Sequence, residues 1–184
     1  MKPIFTIHAG EYLVGSLIED QFKDWRVWIP SKDTGVDLLV SNADNSKTAS
    51  IQVKFSKDFL VTHGKPNHQS KLVSCGWWTL NKQKLADSFA DLWVFVLHTF
   101  NERNMQYVII QPQELHKRLS KIHSPGKVIQ TYIWVTATGT CWETRGLKGN
   151  EQDAIANGNI STIDTERNLT QFLNNWEPLK EKLT

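Results

Sequence analysis

Six consecutive apolar residues, Leu92-Trp-Val-Phe-Val-Leu97, form the longest uninterrupted hydrophobic run in the chain. Six residues suit one buried strand and fall far short of the roughly 20 that a membrane helix needs. A buried strand needs cover, and the flanking sequence supplies it. Tyr12, Leu13, Leu17, Ile18 and Phe22 recur at helical period over residues 8–22. Trp25, Val27 and Ile29 alternate with Arg26 and Trp28 up to Pro30, which reads as a strand. Two more strands, Val36–Val40 and Ile51–Ser56, are separated by the turn-forming Ser41–Lys47. A helix is expected over Leu80–Phe89, then strands at Asp91–His98 and Gln106–Ile110, a short helix Gln113–Leu119 opened by Pro112, and a strand Val128–Thr136. The last third reads as helical, Glu151–Asn157 and then Arg167–Leu183 with Leu169, Phe172, Leu173 and Trp176 on one face. A helix, a run of strands and then helices is the order of a layered α/β domain. At 184 residues it is one domain, with a core over about 8–136 and a helical C-terminal extension over about 150–184.

The two cysteines, Cys75 and Cys141, are too few and too far apart for a disulfide framework or a zinc ribbon. The opening residues hold no extended apolar core, so no secretory signal is expected and a cytoplasmic location follows. Walker A and G-x-G-x-x-G phosphate loops are absent, as is a nucleophile elbow. Charge is unevenly placed. The stretch from Lys54 to Lys84 holds six lysines against one acid, Asp58, on a chain whose remainder is acidic. That is the electrostatic footprint of a polyanion partner, or else a solvated loop. Within it, residues 57–78 read as an irregular, basic segment long enough to be functional. Lys57, His63, Lys65, His68, Lys71, Lys82 and Lys84 are its candidate phosphate contacts. His63, His68 and Cys75 match no zinc spacing. Gly76-Trp-Trp78 either stacks on a base or, the preferred reading, belongs to the core.

The hairpin of Val36–Val40 and Ile51–Ser56 carries the chemistry. Side chains alternate along a strand, so Gln52 and Lys54 share one face while Ile51, Val53 and Phe55 take the other. Asp37 interrupts an apolar strand, where a lone carboxylate is costly to bury unless paired or metal-bound. Hairpin pairing brings it within reach of Gln52 and Lys54. A carboxylate, an amide oxygen and an ammonium at one sheet edge can hold a hard divalent ion that shares a substrate phosphate.

Gly35-Val-Asp37, fourteen intervening residues, then Gln52-Val-Lys54 resembles the core motif of the PD-(D/E)XK nucleases, the restriction-endonuclease-like superfamily. Gly10-Glu-Tyr-Leu-Val-Gly-Ser16 resembles the opening helix of its Holliday-junction-resolvase-like branch, where a helix-1 glutamate joins the metal site. The resemblance covers roughly residues 8–110. It implies a restriction-endonuclease-like core, with a central mixed sheet flanked by helices. It also implies a Mg²⁺-dependent deoxyribonuclease, with Mn²⁺ able to substitute, acting on double-stranded or branched DNA, and a homodimer as the expected assembly. Asp37, Glu11 and Gln52 would hold the metal, and Lys54 would orient the attacking water or stabilise the transition-state charge. Two positions depart from the pattern. Val36 replaces proline with little consequence, whereas Gln52 stands where Asp or Glu is usual and removes one anionic ligand. The rival reading is therefore a catalytically silent nucleic-acid-binding or assembly module on the same fold. Glu11 also has a plainer alternative as a solvent-facing first-turn acid.

Overall fold

A computed structural model describes residues 7–32, 34–60, 66–99 and 104–184. The chain runs α1 (Ala9–Gln21), β1 (Arg26–Trp28), β2 (Leu38–Ser41), β3 (Thr48–Ser56), α2 (Pro66–Gln69), β4 (Leu72–Asn81), α3 (Lys82–Ala86), β5 (Leu92–Thr99), β6 (Asn104–Ile110), α4 (Pro112–Ile122), β7 (Val128–Thr136), β8 (Cys141–Glu143), α5 (Gly149–Ala156) and α6 (Glu177–Leu183). Two short 3₁₀ turns, Thr165–Arg167 and Thr170–Phe172, precede α6.

The strands form two sheets. The larger has the order β1-β2-β3-β5-β6 and the smaller β4-β7-β8. In the larger sheet β1, β2 and β3 are antiparallel neighbours, β3 and β5 run parallel, and β6 returns antiparallel. It is thus a mixed sheet, and the apolar run Leu92–Leu97 lies in its second-to-last strand. Both of that strand's faces are covered, which is why its pattern does not alternate. Val94 and Val96 face α1 and α6 in one cluster with Val14, Ile18, Trp176, Leu179 and Leu183. Trp93, Phe95 and Leu97 face the smaller sheet in another, with Trp78, Leu80, Ile133 and Val135. The outer face of the smaller sheet packs Cys75, Trp134 and Trp142 against Ile155 of α5. No helix of the described residues is long and apolar enough to cross a membrane.

Several expectations need correction. The segment anticipated as irregular through Trp78 contains β4, which pairs with β7 from Leu72–Thr136 to Asn81–Val128. Its Ser74 and Gly76 are buried within that pairing. Gly76-Trp-Trp78, by contrast, follows its preferred reading: Trp78 is core, edge-on to Phe95 at 4.9 Å, and half-buried Trp77 packs beside Tyr132 at 5.3 Å. The helix expected over Leu80–Phe89 shrinks to α3, because Leu80 and Asn81 stay in the sheet and Asn81 caps the helix through the Lys84 N–H. The long helix expected over Arg167–Leu183 is two 3₁₀ turns and α6. Pro178 allows a helix to begin there but not to pass through. Residues 150–184 contribute to the core: Ile155, Leu169 and Leu179 each belong to a different core cluster.

Candidate functional site

The four residues singled out from the motif come from three elements and line one cleft of about 1120 Å³. Asp37 sits one residue before β2, where its N–H donates to the Ile51 carbonyl at 2.8 Å and the Leu38–Ile51 register begins. It is only 6% exposed. Its Oδ2 accepts from the Val53 N–H at 2.8 Å and from Gln52 Nε2 at 2.5 Å. Burial of this carboxylate is therefore compensated in the way the sequence required. The bonds also orient Gln52, whose nitrogen faces Asp37.

Glu11 is the third residue of α1 and is 4% exposed, so it is not a solvent-facing acid. Its Oε2 accepts from the His8 N–H at 3.3 Å, which closes the first turn. The helix reaches the sheet because position 10 is glycine. A β-carbon there would lie 2.7 Å from Cβ of Phe55 and 3.2 Å from Cγ1 of Val53. The missing side chain lets α1 approach β3 and carries Glu11 to the wall of the cleft. Gly35, with φ of +87°, makes the left-handed turn into Asp37 that other residues adopt at a cost.

Lys54 is half-buried, and its ammonium lies over the Trp93 ring, 4.9 Å from the centroid. Gln52 and Trp93 are register partners on β3 and β5, so Gln52, Lys54 and Trp93 share one face. Lys84 and Asp87 add one charge of each sign to the wall. The donor set offered to a cation is two buried carboxylates and an amide oxygen. These are hard oxygen groups that suit Mg²⁺ and not a soft metal. Among the described residues no three His, Cys, Asp or Glu side chains form a metal-sized group, so a cation here would depend on Gln52 as its third ligand.

The basic stretch does not gather at this cleft. Lys54 and Lys84 line it. Lys82 opens α3 alongside it, and Lys57 lies over the Phe59 ring at 5.0 Å. His68 is 3% exposed and bonds Asp153 of α5 through Nε2 at 2.6 Å, with its ring against Trp134. A side chain so enclosed is no surface contact for a phosphate. Lys71 bonds Asn157 just beyond the same helix. His63 and Lys65 lie outside the described residues. The two cysteines are buried and free, and burial pushes the Cys75 thiol up to about 12 and the Cys141 thiol up as well. Neither is a ready nucleophile.

Sequence reasoning missed Phe89. It stands three residues before the apolar run and read as the end of a helix, yet it is 89% exposed at the rim of the cleft. No local pattern separates a core phenylalanine from one held outside; the fixed turn around it decides. The chain matches no protein-family model, no curated protein and no solved structure.

Proposed function

We propose that the chain is a Mg²⁺-dependent endonuclease that hydrolyses DNA phosphodiester bonds on a restriction-endonuclease-like core. The observation that carries this reading is the convergence of Glu11, Asp37, Gln52 and Lys54 on one cleft from α1, the entry to β2, and β3. The order of elements supports it. A helix is followed by three antiparallel strands, and the next strand of the same sheet lies parallel to the third. The crossing segment is unusual for carrying β4 of the second sheet as well as α3.

Asp37, Glu11 and the amide oxygen of Gln52 would hold the ion, which when bound polarises the scissile phosphate and lowers the pKa of its attacking water. Presenting that amide oxygen requires the Gln52 side chain to exchange its present bond to Asp37. Lys54 supplies positive charge where the phosphate gains negative charge in the transition state. Its position over the Trp93 ring favours this role over that of a base, because the ring attracts only the ammonium form. Lys84 adds charge for the backbone of the strand. Cutting both strands of a duplex would call for two copies acting together.

A second reading has one observation in its favour. Gln52 replaces an acid and its nitrogen already satisfies Asp37, which suits a DNA-binding module that no longer cuts. The deciding experiment incubates the protein with supercoiled plasmid and with branched DNA in Mg²⁺, Mn²⁺ or EDTA, beside Asp37→Ala and Lys54→Ala. The nuclease gives metal-dependent cutting that both variants lose. Salt-sensitive binding without cutting in any metal establishes the silent module instead. Neither binding nor cutting refutes both.

A further inference from the structure

We infer that Phe89 stacks on an unpaired base, so that the cleft selects DNA containing unpaired nucleotides over intact duplex. This rests on the reading of the cleft as a nucleic-acid site. A lone exposed phenylalanine needs no explanation, but this one is placed and held. Ser88, on one side, accepts from the Trp93 indole N–H at 2.8 Å. Ala90, on the other, is buried in the core beside Leu85 and Trp93. Asp91 follows, tied by its carboxylate to the Ser50 N–H and hydroxyl and to Lys182. With both neighbours fixed, the ring has no route into the interior.

Phe89 is also not alone. Phe55, at 36% exposure, lines the same cleft. Lys84, on α3 before Phe89, lines the cleft too, and Lys54 reaches it from the face of β3 opposite to Phe55. An exposed ring on a cleft that also holds cations is what a single strand needs, since cations follow the backbone and every base offers a π-face. A base within a duplex is already stacked on both sides. It reaches a ring at a protein surface only after extrusion, at an unpairing cost that a bulge, flap or fork has already met.

The test uses the full chain in EDTA, so that binding is read without cutting. Fluorescent 2-aminopurine is placed either in a short bulge or at the same position in a perfect duplex. The wild type is expected to change the emission of the bulged base on binding and to prefer the bulge. Phe89→Ala is expected to lower the bulge-to-duplex affinity ratio by about 5- to 140-fold, which is the ~1–3 kcal/mol that stacking contributes per base. Phe89→Trp should keep both the preference and the emission change. A bulge preference and an emission change that survive in Phe89→Ala overturn the inference, and Asp37-dependent cutting of plasmid would still uphold the nuclease. An equal loss of affinity for bulge and duplex also overturns it, by showing a general contact without base stacking. A wild type that binds neither DNA removes the inference together with the nucleic-acid reading beneath it.

Discussion

Gln52→Glu tests whether the site is built as described, because it restores the acid that the motif usually carries and does so at measurable cost. The new carboxyl replaces an amide nitrogen that donates to Asp37 Oδ2 at 2.5 Å. A hydrogen bond to a charged acceptor contributes ~1.5–3 kcal/mol. Two carboxylates at that spacing do not both ionise, so the pair retains one proton near neutral pH. Holding a proton on a glutamyl group of ordinary pKa about 4.3 up to about pH 7 costs at most about 3.7 kcal/mol. That proton can itself donate to Asp37, and half-buried position 52 is partly screened by solvent. The net expectation is a loss of ~2 kcal/mol, or about 4–8 °C in Tm for a chain of this size. The sign with pH is fixed. The folded variant binds more protons than the unfolded chain above the ordinary carboxylate range, so its deficit grows as pH rises and vanishes below about pH 4. Mg²⁺ should reverse the deficit by taking the proton's place, contributing up to ~2.7 kcal/mol at a hundredfold excess over Kd. Thermal melts of wild type and variant in EDTA and in Mg²⁺, at about pH 5 and about pH 8, read each of these quantities. Equal melting in EDTA at the higher pH, with equal increments from Mg²⁺, would refute the adjacency of residues 37 and 52 and the metal site with it.

Gly10→Ala gains ~1 kcal/mol of helix propensity, but forces a methyl to 2.7 Å from Cβ of Phe55, a clash of the kind that costs ~1–3 kcal/mol. The expected result is a small loss of stability together with a smaller Mg²⁺ increment in Tm, because the turn bearing Glu11 moves; an unchanged increment would separate Glu11 from the metal. Glu143→Ala should cost ~3 kcal/mol by urea unfolding, since Glu143 is fully buried and its loss removes the carboxylate 2.6 Å from Arg167, which keeps only the Glu143 and Arg145 carbonyls. A loss below ~1 kcal/mol would mean that this pair does not hold the segment before α6. Burial pushes the Asp91 carboxyl up, but the Lys182 ammonium and the Ser50 N–H and hydroxyl outweigh it and hold the group below its ordinary value. The stabilisation is therefore present above the ordinary carboxylate range and lost as pH falls through the folded value. Asp91→Asn should be less stable than wild type near neutral pH, and the difference should close in acid. A difference that persists unchanged into acid would show that the charge of Asp91 is not what stabilises.

The parts of the fold that were legible in the sequence are those whose cause is local or pairwise. The helix at α1 and the hairpin of β2 and β3 announce themselves by period, and β5 by its unbroken apolar run. Asp37 and Gln52 met because strand alternation and a short turn leave little choice of partner. The second sheet was not legible for the opposite reason. β4 exists because β7 pairs with it along almost its whole length, and β7 is remote in sequence. Nothing within Lys71-Leu-Val-Ser-Cys-Gly-Trp-Trp reveals that partner. The site suffered from the same limit at its edges. Polar and basic letters in one stretch suggested one basic surface, but a strand and a turn send neighbouring side chains to different layers. His68 was thereby drawn under α5 to bond Asp153, and Lys84 went to the cleft. Phe89 ran the other way, an apolar residue left outside between Ser88, bonded to the Trp93 indole, and Ala90, buried in the core. Residue type sets the cost of burial or exposure, and the fixed backbone on either side decides whether that cost is met. The residues that defied their type at this cleft, a buried acid at Asp37 and an exposed ring at Phe89, are for that reason the ones whose substitution says most about its function.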